Sequence, residues 1–265
     1  MATIQHNFCI LQHNHKNLNL PEYVQNRALH IWLYLIIISY MRTVSIAPGE
    51  HYHIFNRGNN KQLIFLDERD WVRFMFLIIH LQSPIVFQNL SRQVNHFVKN
   101  RAFNINEGEI EKIISKRYVE LINFTLMPNH FHLTVHELEE GGIAKYMQRI
   151  LCAHTKYFNT KYKKSGHLFQ GPYKAVHITN NKQLLYLSTY IHKNSRELVG
   201  WKNKENIYPW SSYQDYVNKN RWGKLLSMDL VLDQFQNNKE YDDFVKSSVA
   251  KEIAEKLESD YLINI

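Results

Sequence analysis

In the stretch 127–136, polar and apolar side chains alternate after a Pro-Asn corner, and this constrains the fold of the 265-residue chain more than any other feature. On a β-strand successive side chains point to opposite faces, so His130, His132 and Thr134 share one face. The other face carries Phe131, Leu133 and Val135, which we expect to pack on a core. Two imidazoles about 7 Å apart along a strand can close on one metal ion, although a solvated strand face also accommodates two histidines.

Residues 184–194 follow a helical period. The apolar positions expected to face the core are Leu184, Leu187 and Ile191. Tyr186, Tyr190 and Asn194 follow one another at i, i+4 on a different, polar face, and Asn180 is a candidate cap for this helix. The chain has 16 tyrosines, and a single Tyr on a helix is most often a packing residue. Only its combination with the strand histidines gives Tyr190 a candidate role.

These two segments and three further blocks resemble the IS200-like single-tyrosine transposases of the HUH (His-hydrophobe-His) nuclease superfamily. The further blocks are residues 51–58, 166–174 and 208–213. The resemblance is closest to the REP-associated branch and covers roughly residues 41–216. An ordered set of blocks is more specific than any single short motif.

The resemblance implies roles for four residues. His130 and His132 would bind a divalent metal, Asn194 would complete the metal's protein ligands, and Tyr190 would attack a DNA phosphate. The family usually has a proline after the asparagine, and this chain has Ser195 there. Because a proline would end the helix sharply, its absence leaves the position of Asn194 open.

The implied activity is that of a metal-dependent single-stranded DNA endonuclease and strand transferase. It proceeds through a covalent 5′-phosphotyrosine intermediate and serves DNA transposition or REP-element processing. Two imidazoles and an amide oxygen favour Mn²⁺ or another transition metal over Mg²⁺, although DNA phosphate and water ligands also allow Mg²⁺. The expected DNA partner is single-stranded or folded into a hairpin. Whether the protein acts as a monomer or as a homodimer is left open by the sequence.

Charge supports a nucleic-acid partner. The net charge is +8, and residues 141–196 contain no Asp or Glu. A DNA backbone binds such a basic surface through counterion release. The candidate DNA contacts are Arg57, Lys145, Arg149, Lys156, Lys163, Lys164 and Lys174.

The predicted fold is α+β. Strands are expected at 52–56, 119–126 and about 174–178, in addition to the histidine strand, and helices at 70–82 and 143–162. This β-α-β-β-α-β order fits a ferredoxin-like (RRM-like) sandwich, an antiparallel sheet with helices on one face. The histidines would lie on the other face, where the tyrosine helix is expected to dock.

The expected domain organisation has three parts. Residues 1–40 would be an upstream extension, with Met41 as a candidate native start. Residues 41–200 would form the HUH-type catalytic domain, with a partly helical insertion at 83–117. Residues 201–265 would form a helical C-terminal extension.

Cellular location is expected to be cytoplasmic. The chain has two cysteines, Cys9 and Cys152, which give neither a disulfide framework nor zinc spacing. The apolar run 29–41 is shorter than the roughly 20 residues that a membrane span requires, and no membrane partner is expected.

Two alternative functions stay open. His132 with Thr134 and His177 with Thr179 both form a His-x-Thr motif, the signature pair of two-histidine phosphoesterases, in which the histidines act as general acid and base without a metal. The other alternative is a catalytically silent DNA-binding protein descended from the transposases. Retention of His130, His132 and Tyr190 together argues against it.

Overall fold

The structure is a computed structural model that describes residues 45–86, 88–103 and 107–250. The predicted extension at 1–40 and the last part of the predicted C-terminal extension, 251–265, lie outside the described residues. Arg42–Ser248 form one compact unit. Val249 and Ala250, the last described residues, lie outside this unit.

The unit is built on a four-stranded antiparallel sheet with the strand order β2-β3-β1-β4. The strands are β1 (His51–Arg57), β2 (Val119–Met127), β3 (His130–Glu137) and β4 (Lys174–Ile178). The helices are α1 (Glu68–His80), α2 (Leu90–Asn100), α3 (Glu107–Ile114), α4 (Gly142–Tyr162), α5 (Asn181–His192), α6 (Tyr213–Val217), α7 (Asp229–Leu232) and α8 (Asn238–Ser247).

Strand and helix order confirm the predicted ferredoxin-like α+β fold. The elements β1-α1-β2-β3-α4-β4 give the β-α-β-β-α-β order, and the two longest connections place α1 and α4 on one face of the sheet. Helices α2 and α3 lie within the predicted insertion at 83–117. Helix α1 begins two residues earlier than expected, because Asp67 caps it and accepts a hydrogen bond from the Asp70 amide at 3.2 Å.

The core lies between the sheet and helices α1 and α4. Phe131, Leu133 and Val135 of β3 are fully buried on this side, where the Phe131 ring centroid lies 5.1 Å from that of Phe74 in α1. His154 of α4 stands edge-on to the same Phe74 ring at 5.0 Å. The apolar set of the histidine strand therefore packs as the alternation predicts.

Helix α5 packs on the opposite face of the sheet, as the sequence predicts for the tyrosine helix. Thr125 of β2 donates its hydroxyl hydrogen to the Ile191 carbonyl oxygen of α5 at 2.7 Å. Asn180 caps the helix, since its side chain accepts from the Gln183 amide at 2.9 Å. The sheet is therefore covered on both faces, with α1 and α4 on one and α5 on the other.

The C-terminal region, residues 201–248, pairs with the edge strand β2 and packs against α5. Leu126 donates its amide to the Trp210 carbonyl at 2.8 Å, and Ser212 donates its amide to the Phe124 carbonyl at 2.9 Å. The hydroxyl of Tyr241 in α8 lies 2.6 Å from His192 Nδ1 at the end of α5. The region is thus packed against both the sheet and the tyrosine helix. No helix in residues 45–86, 88–103 or 107–250 is long and apolar enough to cross a membrane.

Candidate active site

The polar face of the sheet carries two histidines from β3. His130 and His132 lie on this face because they alternate with fully buried apolar residues on the other. Arg57 of β1 lies opposite His130, and Phe55 lies opposite His132, so both share the polar face. The two imidazole centroids are 5.2 Å apart, and their planes are nearly perpendicular.

The turn before β3 fixes the proton on His130. Asn129 donates its side-chain amide to the Lys61 carbonyl at 3.2 Å, which turns its Oδ1 towards His130 Nδ1, 2.7 Å away. Because this oxygen only accepts, Nδ1 of His130 carries the proton, and a neutral ring keeps a lone pair on Nε2. Nε2 lies 3.3 Å from Oδ1 of Asn194. His130 thus presents an unprotonated nitrogen to the side of Asn194.

A tight loop after β1 supports that turn. The Gly58 amide donates to the Asn129 carbonyl at 2.7 Å. A Cβ at Gly58 would lie 2.1 Å from the Gln62 carbonyl oxygen, so only glycine allows the loop to close here. The loop brings the Lys61 carbonyl to Asn129, and the residues of the 51–58 block therefore help to orient His130.

Asn194 lies just beyond the end of α5, in the position that the sequence left open. The helix ends at His192, and a 3₁₀ turn, Asn194–Glu197, follows without a proline. Asn194 is completely buried, and its amide nitrogen has no hydrogen-bond partner among the described residues. Rotation of the amide by 180° would let this nitrogen donate to His130 Nε2. In the orientation present, two acceptor atoms face each other, an arrangement suited to a cation between them.

A third histidine, which the sequence analysis did not assign to the site, contacts His132. Nε2 of His53 in β1 lies 2.9 Å from Nδ1 of His132, and their ring centroids are 5.1 Å apart. Burial lowers the pKa of His53 to about 3, so the ring is neutral at physiological pH. The alternation of β1 in the sequence could have indicated this residue. It places His53 on the same face of the sheet as His132, once β1 pairs with β3.

Tyr190 projects from α5 towards these rings. Its ring stands edge-on to His132 with a centroid separation of 5.5 Å, and to His53 at 6.4 Å. The side chain is half-buried. Helix α5 and the turn after it therefore bring the phenol ring to His132 and Asn194 to His130.

Two of the candidate donor atoms are spaced as ligands of one divalent metal. Metal–ligand bonds of about 2.1 Å separate adjacent ligand atoms by about 3.0 Å at an octahedral angle and by about 3.4 Å at a tetrahedral angle, and His130 Nε2 lies 3.3 Å from Asn194 Oδ1. In the described part of the chain, no three His, Cys, Asp or Glu side chains are placed to hold a metal ion. The candidate protein ligands that the resemblance implies are two imidazoles, from His130 and His132, and one amide oxygen, from Asn194.

Comparison with known proteins identifies the segment that holds these residues. Residues 82–194 match the family model described as "Transposase IS200 like". This segment is therefore similar to the IS200-like transposases. The match covers less than half of the chain, ends at Asn194 and includes both strand histidines and Tyr190.

One similar solved structure is described as a REP-associated tyrosine transposase bound to a REP hairpin. It shares 14% sequence identity with this chain, with a TM-score of 0.45, and the alignment covers 69% of this chain and 87% of that one. Among curated proteins, none matches this chain.

Two of the predicted DNA contacts border the site of the IS200-like segment. Arg57 is exposed beside His130 at the end of β1. Lys174 is exposed at the start of β4, with its Nζ 6.0 Å from the centroid of the half-buried Phe55 ring. Both cations therefore lie on the face of the sheet against which α5, the helix of Tyr190, packs.

The remaining predicted DNA contacts lie on or just after α4, which packs on the other face. Lys145 pairs with Glu139 at 2.8 Å. The guanidinium of Arg149 donates to the Ser83 carbonyl, to the Tyr118 hydroxyl at 2.7 Å and to the Ile85 carbonyl at 3.1 Å. These bonds are internal and stabilise the start of the insertion. The acid-free run of the sequence is thus divided between the two sides of the sheet.

Three lysines complete that set. Lys156 is exposed on α4, while Lys163 and Lys164 are exposed where this helix ends. Lys164 Nζ lies 5.3 Å from the Phe158 ring centroid. None of the three contacts Tyr190 or the strand histidines in the described structure, because α4 and α5 lie on opposite faces.

The two-histidine phosphoesterase alternative is contradicted by the sheet register. His132 pairs across the sheet with Phe55, whereas His177 pairs with Tyr52. Tyr52 and Phe55 are three residues apart on β1 and point to opposite faces. His177 instead lies 2.8 Å from the carboxylate of Glu50. The two His-x-Thr motifs therefore cannot act on one phosphate.

His192 of α5 points away from the strand histidines. Its Nε2 lies 2.9 Å from the Ser212 hydroxyl, and its Nδ1 contacts the Tyr241 hydroxyl. Complete burial lowers its pKa to about 3. This neutral ring joins the tyrosine helix to the C-terminal region, which leaves Asn194 as the helix-borne candidate ligand.

Proposed function

We propose that this chain is a metal-dependent single-stranded DNA endonuclease and strand transferase that acts through a covalent 5′-phosphotyrosine on Tyr190. The observation that carries the proposal is the proximity of the Tyr190 ring to the strand histidines, with a 5.5 Å centroid separation from His132. The match of residues 82–194 to the IS200-like transposase model supports it. DNA transposition or the processing of REP elements is the proposed biological setting.

The proposed reaction exchanges one phosphodiester for another. The Tyr190 oxygen forms a bond to the scissile phosphorus, its phenolic proton passes to solvent, and the bond from phosphorus to the 3′ oxygen breaks. That oxygen takes up a proton and leaves as a 3′-hydroxyl. A second 3′-hydroxyl then attacks the phosphotyrosine and releases the phenol. No nucleotide cofactor is required, because the number of ester bonds is conserved.

His130, His132 and Asn194 would hold the divalent metal, Mg²⁺ or Mn²⁺. The ion would polarise the scissile phosphate and offset the charge that develops on its oxygens. Arg57 and Lys174 flank the same face and are suited to bind the neighbouring phosphates of the strand. Half-buried Phe55, between His132 and Lys174 in the sheet register, offers an aromatic surface for an unpaired base.

Tyr190 is proposed to act on the metal site of its own chain. Tyr241 of α8 contacts both Ser188 and His192 of α5 at 2.6 Å, and Lys193 Nζ donates to the Ser248 carbonyl at 2.6 Å. These buried bonds hold the tyrosine helix against its own sheet. They favour a monomer as the active form over a homodimer that exchanges this helix.

A covalent capture experiment tests the proposal. The full chain is incubated with end-labelled single-stranded DNA hairpins and Mn²⁺, and adducts are separated under denaturing conditions. The unchanged protein should give a labelled adduct that Tyr190→Phe abolishes. Tyr186→Phe is the matched control, because Tyr186 lies one turn earlier on α5 and packs towards Phe244.

Each outcome separates the candidate functions. Adduct with Tyr186→Phe but not with Tyr190→Phe supports the transposase chemistry. Hairpin binding without any adduct, in Mn²⁺ and in Mg²⁺, would favour the catalytically silent DNA-binding protein. Cleavage that survives Tyr190→Phe would overturn Tyr190 as the nucleophile.

A further inference from the structure

We propose that His53 is a positioning residue that holds His132 in the one tautomer able to bind a metal through Nε2. The inference rests on the proposed metal site and concerns a residue outside the candidate ligand set. Its basis is the 2.9 Å contact between His53 Nε2 and His132 Nδ1.

One proton occupies this contact, and its location decides what His132 can do. If His132 Nδ1 carries the proton and donates it to His53, the lone pair of a neutral His132 lies on Nε2. If His53 donates instead, His132 Nδ1 is the acceptor and its Nε2 carries the hydrogen. Only in the first arrangement does Nε2 of His132 carry the lone pair that can coordinate a metal. A histidine ligand in metal sites commonly donates its other ring N–H to a neighbouring acceptor.

Packing keeps the His53 acceptor in place. His53 is 1% exposed, and it lies on β1, which is paired on both sides within the sheet. Its ring stacks on Phe55 with centroids 4.8 Å apart, and on His132 with an interplanar angle of 20°. Since neither strand nor ring can move without breaking the sheet or this stack, His53 directs the His132 ring as well as its proton.

The same logic applies to both candidate histidine ligands. His130 Nδ1 donates to the Asn129 side chain, and His132 Nδ1 would donate to His53. Each ring would then present Nε2 to the space below α5. One orienting acceptor comes from the turn before β3 and the other from β1, so the sequence block 51–58 contributes to the site through His53.

Two substitutions of His53 distinguish the effect of its hydrogen-bond acceptor from the effect of its ring volume. His53→Phe keeps an aromatic ring and removes the acceptor, whereas His53→Gln can place an oxygen where Nε2 now lies. His51→Phe is the matched control, because His51 occupies the same strand and face two residues away and stacks on His136 at 4.3 Å. Mn²⁺ affinity is measured by calorimetry on each full-length variant, and thermal unfolding is recorded in the absence of metal.

Loss of an orienting partner typically weakens metal affinity by about 10–100-fold. We expect a loss of that size for His53→Phe, recovery of most of the affinity in His53→Gln, and an unchanged affinity for His51→Phe. A purely structural role would lower the unfolding temperature of His53→Phe without this pattern of affinities. Equal Mn²⁺ affinity in folded His53→Phe and the unchanged protein would overturn the inference.

Nitrogen-15 NMR of the metal-free, unchanged protein gives an independent test. His132 should show a protonated Nδ1 and an unprotonated Nε2, and the opposite tautomer would overturn the inference even if His53→Phe fails to fold. Failure of the proposed function is distinguishable, since Mn²⁺ binding that depends on His53 but yields no DNA adduct would leave the positioning role intact. Mn²⁺ binding unaffected by His130→Ala would remove the metal site and the inference with it.

Discussion

The two faces of β3 place different demands on their side chains. On one, Phe131 and its apolar neighbours are completely buried beneath α1 and α4, and what matters is volume and shape. On the other, His130 and His132 face α5, and what matters is which nitrogen carries a proton and which atom faces it. Neighbouring residues of one strand should therefore fail in different ways, one by unfolding and the other by losing the site.

The largest expected effect is on the polar face. His132→Ala should reduce covalent DNA capture to background, because it removes a candidate metal ligand beside Tyr190. The fold should persist, since the apolar face is unchanged, although His53 loses a hydrogen-bond partner at a cost of about 1–3 kcal/mol. Adduct yield and circular dichroism on the same sample check both parts. Full adduct yield from folded His132→Ala would show that the polar face of β3 does not hold the site.

On the apolar face, Phe131→Ala should lower the free energy of unfolding by about 3–5 kcal/mol through loss of buried area and creation of a cavity. Urea denaturation gives the value. Phe55→Ala is the matched control on the polar face, where the half-buried ring should cost less to remove. A larger loss for Phe55→Ala than for Phe131→Ala would show that the core is not where the structure has it.

Acid should destabilise the fold through histidines that are buried neutral. Burial lowers the pKa of His154, on the packing side, to about 4, whereas the unfolded chain takes up this proton near pH 6.5. Stability should be complete above pH 6.5 and fall as the pH decreases towards 4, by up to about 1.4 kcal/mol per pH unit for each such histidine. Urea unfolding between pH 5 and pH 7.5 measures the slope.

His154→Gln sharpens that measurement. The glutamine can still donate to the Ile64 carbonyl, the partner of His154 Nε2 at 2.8 Å, but it does not titrate. The variant should show a smaller loss of stability on acidification while keeping its Mn²⁺ affinity. An unchanged slope would assign the acid sensitivity to other groups.

The smallest effect concerns helix caps on the two faces. Asn180→Ala and Asp67→Ala each remove a cap, from α5 and α1 respectively, and each should cost about 1 kcal/mol. Only Asn180→Ala should also slow adduct formation, because α5 carries Tyr190. Equal adduct rates for the two variants would mean that the start of α5 does not influence the site.

The sequence was informative where one local rule sufficed. Alternation predicted β3 and its two faces, the helical period predicted α5 and its Asn180 cap, and the order of elements predicted the ferredoxin-like fold. The sequence was less informative about contacts between segments that are distant along the chain. The basic residues of 141–196 form one run in sequence, yet α4 and α5 place them on opposite faces of the sheet.

Local patterns determined which side chains share a face, because the periods of strand and helix are properties of the backbone itself. Only the tertiary structure decided which faces meet: that His53 contacts His132, that Asn194 reaches His130 without a proline to end the helix, and that His177 lies on the wrong face for a two-histidine site. The physical reason is that strand register and helix docking depend on contacts between residues far apart in sequence, and no local period encodes them.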